Sequence, residues 1–326
     1  MSSDPLGISR RDLLAGVLGT AAASIAVRPA AAQGRARVVR VESTKVWAGD
    51  RRDAAVVAAM VDRGLTTFTG KAKPAEAWGQ FFKPGMRLGV KINLLGRPLL
   101  YTAPEVTDAV VAGAIASGVK PADIIVWDRH ADHFGPTRYK AGTTGARGER
   151  IMTGGQYDRE RACQASGGVA PIDRIATELT DATVNLPLLK NHGGAGVTLA
   201  LKNIAFGCYQ HHRAAHSGNC DPFIAEACRH YLSQTRVPLH VLDATEACYD
   251  QGPQPGSTEP IWRENAIYVA TDPVALDVVC RQVILERQRA AGLSSRLSQC
   301  RHIETAASMG LGVGDVGRID LVTVKV

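Results

Sequence analysis

The stretch CYQHHRAAHSGNC, Cys208 to Cys220, packs three of the chain's nine histidines and two of its seven cysteines into thirteen residues. Imidazole and thiolate together suit zinc, copper, iron or nickel, and a bound metal itself enforces the deprotonated thiol. His212 and His216 are four residues apart, so on a helix their rings share a face; Cys220 follows four residues later, beyond Ser217, Gly218 and Asn219. Two other chemistries fit the same residues. Cys208 and Cys220 enclose a short loop that a disulfide would close, worth about 3 kcal/mol. Alternatively His211, His212 and Arg213 are solvated loop cations, and Cys220 is a buried thiol ahead of the next helix.

A second dense patch is NLPLLKNHGGAGVTLALKN, which presents Lys190 and His192, then Gly193, Gly194 and Gly196, then Thr198 and Lys202. Glycines ahead of a helix N-terminus expose backbone N–H groups, and lysines nearby add charge, which predicts a cradle for phosphate or carboxylate. A glycine turn needed only to fit the chain is the plainer reading. The spacing is not that of a P-loop, no G-x-S-x-G elbow of a serine hydrolase occurs, and no C-x-x-C pair is present.

The elements that must position these residues alternate. RVVRVESTKVW reads as a strand, followed by a helix with Asp53 as N-cap, Val56, Val57, Met60 and Val61 on one face, and Gly64 as its stop. MRLGVKIN is a strand, the next helix opens at Pro104 and closes at Gly118, and DIIVWD is a buried strand. ATVNLP as a strand, VTLALKNIAF as a helix and PLHVLDA as a strand continue the order. AIYVA then feeds a helix with Asp272 at N-cap and Pro273 at N1, with Cys280 as a core thiol on it, and IDLVTVKV closes the chain. Tyr139 to Gly155, rich in Gly and Arg, reads as a long loop or a small excursion from the alternating order. Short apolar strands between amphipathic helices predict one large α/β domain over 33–326, with a mostly parallel sheet and helices on both faces.

In such sheets ligands gather at the carboxyl ends of the strands. The residues just past them are Lys91 and Asn93, Asp128 and His130, Lys190 and His192, Asp243 and Glu246, and Asp272, which together predict a polar cleft. Asp272 alone is read as a helix cap.

The first 32 residues carry Arg10-Arg11, an apolar run from Leu13 to Val27 and Ala30-Ala31-Ala32, the three parts of an export signal of twin-arginine type. The run is too short and too diluted by Ala, Gly and Ser for a membrane span. Export by the twin-arginine machinery, which carries folded and often cofactor-loaded proteins, would place the mature chain in the periplasm. Net charge is +7, and +6 without the leader, with scattered arginines and few aromatics. That pattern argues against nucleic acid and suits a small anionic partner.

VKIN, PEVTDAVVAGAIASGV with IIVWDR, VNLPLLKNHGGAGVTLALKN, HSGNCDPFIAE and TDPVALDVV resemble the motifs of the domain of unknown function 362 family, in its exported twin-arginine branch. The resemblance spans nearly all of the mature chain. Some relatives carry ferredoxin modules, which implies redox chemistry for them; that cysteine-rich module is missing here. A fainter similarity of layout is to nickel-pincer enzymes of the lactate racemase type, whose signature residues do not line up. Because the family block begins at His216, the resemblance favours His216 and Cys220 as ligands over His211 and His212, with His192 completing a metal set. The resulting expectation is an exported metal- or cofactor-dependent enzyme, possibly redox, acting on a small anion. In it Lys190, Asp128 and Asp243 would be catalytic, and Lys91, Asn93, Gly193, Gly194, Thr198 and Lys202 would bind the cofactor or anion. The alternative is a periplasmic metal- or anion-binding protein without catalysis.

Overall fold

Apolar residues in the central strands alternate between two hydrophobic cores, as the two-residue period of a strand requires. The computed structural model describes residues 34–294 and 300–326; the expected export signal lies outside the described residues. Ile124, Val126, Ile267 and Val269 enter one core, while Ile125, Trp127, Tyr268 and Ala270 enter the other. Helices Ala54–Thr69 and Pro104–Ala116 cover the first core. Ala200–Gly207, Phe223–Gln234, Pro273–Ala290 and Arg301–Ser308 cover the second. The sheet is therefore sandwiched, as the sequence predicts.

Across the sheet the strands run Ile319–Lys325, Ala36–Glu42, Ala266–Ala270, Arg236–Cys248, Ala182–Asn185, Leu88–Lys91, Ile124–Asp128, Arg150–Thr153 and Thr143–Thr144. Along this path only Ala266–Ala270 and Thr143–Thr144 oppose the common direction. The fold is α/β with a mostly parallel sheet. No helix among the described residues is long and apolar enough to cross a membrane.

Several local readings change. The stretch from Tyr139 to Gly155 holds the two last strands of the sheet, not a plain loop. Gly64 does not stop its helix, which continues to Thr69 and ends at Gly70 with φ 71°. A Cβ on Gly64 would lie 2.7 Å from Val269 Cγ2, so this glycine lets the helix approach the sheet. Asp272 caps its helix by accepting from the Ala275 amide, and Cys280 is a buried thiol, both as read from the sequence.

Candidate functional site

The carboxyl ends of the parallel strands converge on a cleft of about 330 Å³. Lys91 and Asp128 each close a strand and meet there, Lys91 Nζ donating to Asp128 Oδ1 at 3.1 Å. The other Asp128 oxygen accepts from the Leu94 amide at 2.6 Å. Burial alone would raise this carboxyl, but Lys91 and the donated hydrogen bonds hold it well below the usual carboxylate range. Asn93 continues the network: its Oδ1 accepts from Lys190 Nζ at 2.9 Å, and its Nδ2 donates to Asn203 Oδ1 at 2.9 Å. Lys190 also donates to the Leu95 carbonyl, and burial holds its pKa down to about 7. It lies beneath the cleft wall rather than on it.

The second wall is the helix Ala200–Gly207. No side chain within the segment caps it; Asp277, on the long helix Pro273–Ala290, accepts from the Ala200 and Leu201 amides at 2.8 and 3.1 Å. Residues four apart share a helix face, which places Lys202 Nζ 3.3 Å from the centre of the Phe206 ring. Among the described residues Lys202 has no carboxylate and no hydrogen-bond acceptor. Burial holds its pKa down to about 8, against the thiol of Cys220 nearby. Thr198, also on the cleft wall, has a buried hydroxyl without a partner among the described residues.

The glycine turn differs from its sequence reading. It joins strand Leu188–His192 to strand Gly196–Thr198, and the helix starts only at Ala200. The Gly193 amide donates to the Gly252 carbonyl at 3.0 Å. The amides of Gly194 and Ala195 both donate to His192 Nδ1, at 2.9 and 3.0 Å. Gly193 and Gly194 thus present no free N–H cradle, because the turn's own geometry uses those donors. The same contacts fix His192. Backbone amides only donate, so Nδ1 is the acceptor and the neutral ring carries its proton on Nε2. Burial, with Lys202 close by, drives its pKa down to about 2.

On the third side the segment Arg213–Cys220 brings His216 to the cleft, and His211 joins it, their rings 5.3 Å apart with Phe206 between 4.6 and 4.7 Å from each. Arg129 Nη1 lies 2.6 Å from His211 Nε2 and 3.1 Å from the Phe206 carbonyl. Burial, then Arg129, lowers His211 to about 3; burial, then Lys202, lowers His216. Both imidazoles are neutral near neutral pH.

The expected metal set does not assemble. His192 has committed its Nδ1 lone pair and holds its proton on Nε2, and the Cys220 sulfur does not line the cleft. Among the described residues no group of three His, Cys, Asp or Glu side chains converges to hold a metal ion. All seven cysteines are free thiols, so Cys208 and Cys220 form no disulfide. Burial pushes the Cys208 thiol up to about 12. Asp243 also lies away from the cleft. The strand read as PLHVLDA runs on past Asp243 to Cys248 because its second half pairs with Leu188–His192. Its carboxylate accepts from the Ala103 and Thr245 amides and the Thr245 hydroxyl, so it joins helix to sheet.

Of the residues expected from the sequence, Lys91, Asn93, Asp128, His130, His192, Thr198, Lys202 and His216 line one cleft. Arg129, His133, Asn203 and Phe206 belong there too and were missed, and His211, read as a solvated loop cation, lines it as well. Arg129 and Asn203 each stand one position from a residue that was singled out, and His211 lies inside the His-rich stretch. Among the described residues Asp128 is the only carboxylate on the wall and is paired with Lys91, while Arg129 and Lys202 make no ion pair, so the cleft is electropositive.

A family model described as "Domain of unknown function (DUF362)" matches residues 88–282, well over half of the chain. The chain belongs to this family. The DUF362 match contains every residue that lines the cleft. No curated protein matches the chain. Among solved structures, a Thermotoga maritima protein determined by the Northeast Structural Genomics Consortium is similar at a TM-score of 0.42 and 10% identity. The alignment covers 76% of this chain, which spans 61% of that protein's length.

Proposed function

We propose that this protein is an enzyme that binds a small organic anion in the cleft and moves a proton on it. The observation that carries this reading is Lys202, a buried ammonium facing the cleft with no carboxylate among the described residues to balance it, on the same cleft wall as the unpartnered Thr198 hydroxyl. A buried charge without a counterion is costly, and a bound carboxylate or phosphate removes that cost. Arg129, which makes no ion pair among the described residues, is a second anchor. His192 donates from Nε2. His216, neutral and beside the ligand, is the base that accepts the proton. The cleft volume suits a small acid rather than a dinucleotide. The redox role expected from a His192, His216 and Cys220 metal set gives way to proton transfer, because those donors do not converge.

The test is solvent exchange. A panel of small hydroxy and oxo acids is incubated with the protein in deuterium oxide, and loss of the proton next to the acid or carbonyl group is followed by NMR. Exchange that disappears in His216→Ala supports the reading. Binding of these anions, seen as a raised melting temperature, with no exchange of any of them makes the protein a binding protein instead.

The same proposal places the mature protein outside the cytoplasm through a twin-arginine leader over residues 1–32, with Arg10-Arg11 as the recognised pair. Replacing both by lysine should retain the uncut precursor in the cytoplasm; unchanged export would remove this part of the reading.

A further inference from the structure

The three lysines of the site are not equivalent. Lys91 is tied to Asp128 and to the Ile92 carbonyl, and Lys190 is tied to Asn93 and the Leu95 carbonyl. Each spends two of its three donors on the protein. Among the described residues Lys202 alone has no hydrogen-bond acceptor: it has the face of Phe206 against its ammonium, the Cys220 thiol nearby and the cleft in front of it. If the site needed no more than a charge to hold an acid, Arg129 already supplies it: Nε donates to Tyr157 and Nη1 to the Phe206 carbonyl, which leaves Nη2 for one carboxylate oxygen. Arg129 and Lys202 both touch Phe206, one at its carbonyl and one at its ring, so the two cations stand within the reach of one small molecule.

From this division of labour we infer that Lys202 is a covalent catalyst, forming a Schiff base with the carbonyl of a 2-oxo acid whose carboxylate is held by Arg129. The inference rests on the anion-binding reading above and names the substrate class for it.

The step balances as follows. The lone pair of the neutral Lys202 amine attacks the carbonyl carbon, forming a C–N bond while the C=O π electrons move to oxygen. His192 Nε2–H donates a hydrogen bond to that developing oxyanion; it cannot take a second proton, because its Nδ1 already accepts two amides. His216 takes a proton from the nitrogen and returns it to the oxygen, giving the carbinolamine. One further proton from solvent lets the C–O bond break, water leaves, and the protonated C=N iminium remains. That iminium draws electrons from the adjacent carbon, whose proton His216 then removes. The unpartnered Thr198 hydroxyl is placed to hold the carbinolamine or the departing water. Burial supports the scheme: with its pKa held down to about 8, Lys202 is neutral in about a tenth of molecules at pH 7, against well under a thousandth for an exposed lysine.

Borohydride trapping tests this on the full-length protein. Pyruvate is added with sodium borohydride, and the product is digested and mapped by mass spectrometry, with borohydride alone as control. The expected result is one reduced pyruvyl adduct per chain on the peptide bearing Lys202. In Lys202→Arg, whose fold is checked by circular dichroism, trapping should fall at least tenfold while pyruvate still raises the melting temperature. An adduct spread over surface lysines, or equal trapping in Lys202→Arg, overturns the inference. Pyruvate binding without any adduct in the wild-type protein overturns the covalent step and leaves anion binding standing. Failure of pyruvate and every other small anion to bind overturns both. Should Lys202→Arg fail to fold, the map of the wild-type adduct decides alone.

Discussion

Thr198 offers the cleanest separation of binding from folding at the level of single residues. A buried hydroxyl without a partner costs the folded state about 1–3 kcal/mol. Thr198→Val keeps the shape and removes that group, so the denaturation midpoint should stay level or rise, while anion affinity should fall several-fold. Lower stability with unchanged affinity would mean the hydroxyl serves the fold. At this scale the sequence revealed which residue types gather, since Lys91, Asn93, Asp128, His192, Thr198, Lys202 and His216 do meet. It did not reveal their roles. That His192 is a donor follows from two amides of its own turn, and that Lys202 is the unbalanced lysine follows from where Asp128 and Asn93 point. Neither relation is visible in residue spacing.

The helix Ala200–Gly207 is the element on which the site depends, because it carries Lys202, Asn203 and Phe206. Its N-terminal amides are held by Asp277. Asp277→Ala should therefore cost about 1–2 kcal/mol of stability and weaken anion binding together, while Asp277→Asn, which keeps an acceptor, should lose much less. Calorimetric unfolding and binding of the same two variants would check this; an Asp277→Ala protein with wild-type stability would remove the capping role. Strands and helices around the site were legible because their periods are local. The start of this helix was not, since its cap stands 77 positions later. The same limit applies to Asp243: its strand reads as ending early, and only pairing with Leu188–His192 carries it on to Cys248.

At the scale of the whole molecule, the two-sided apolar strands sufficed to predict a covered, mostly parallel sheet, while only some of the polar strand ends, those at Lys91, Asp128 and His192, reach its cleft. The buried polar groups also set how stability responds to pH. Burial lowers His240 and His302 from 6.5 to about 3. As pH falls through about 6.5, the unfolded chain takes up protons that these folded rings refuse, so each histidine removes up to about 1.4 kcal/mol per pH unit down to about 3. His192 and His211 act in the same direction. Asp277 opposes them, because burial pushes its carboxyl up to about 8 and the folded state holds a proton the unfolded state releases. The histidines outnumber it. The urea midpoint should drop clearly between pH 7 and pH 4.5, and a midpoint that holds or rises would contradict this balance.

The central claim is that Lys202, together with Arg129 and not the glycine turn, is what the anion binds to. Isothermal titration of pyruvate and of inorganic phosphate into the wild-type protein, Lys202→Met and Gly194→Ala tests it most directly. The account predicts a loss of at least about tenfold in affinity, some 1.4 kcal/mol, for Lys202→Met. Gly194→Ala, whose added Cβ meets nothing closer than His192 at 3.5 Å, should bind as the wild-type protein does. Undiminished binding by Lys202→Met would contradict it.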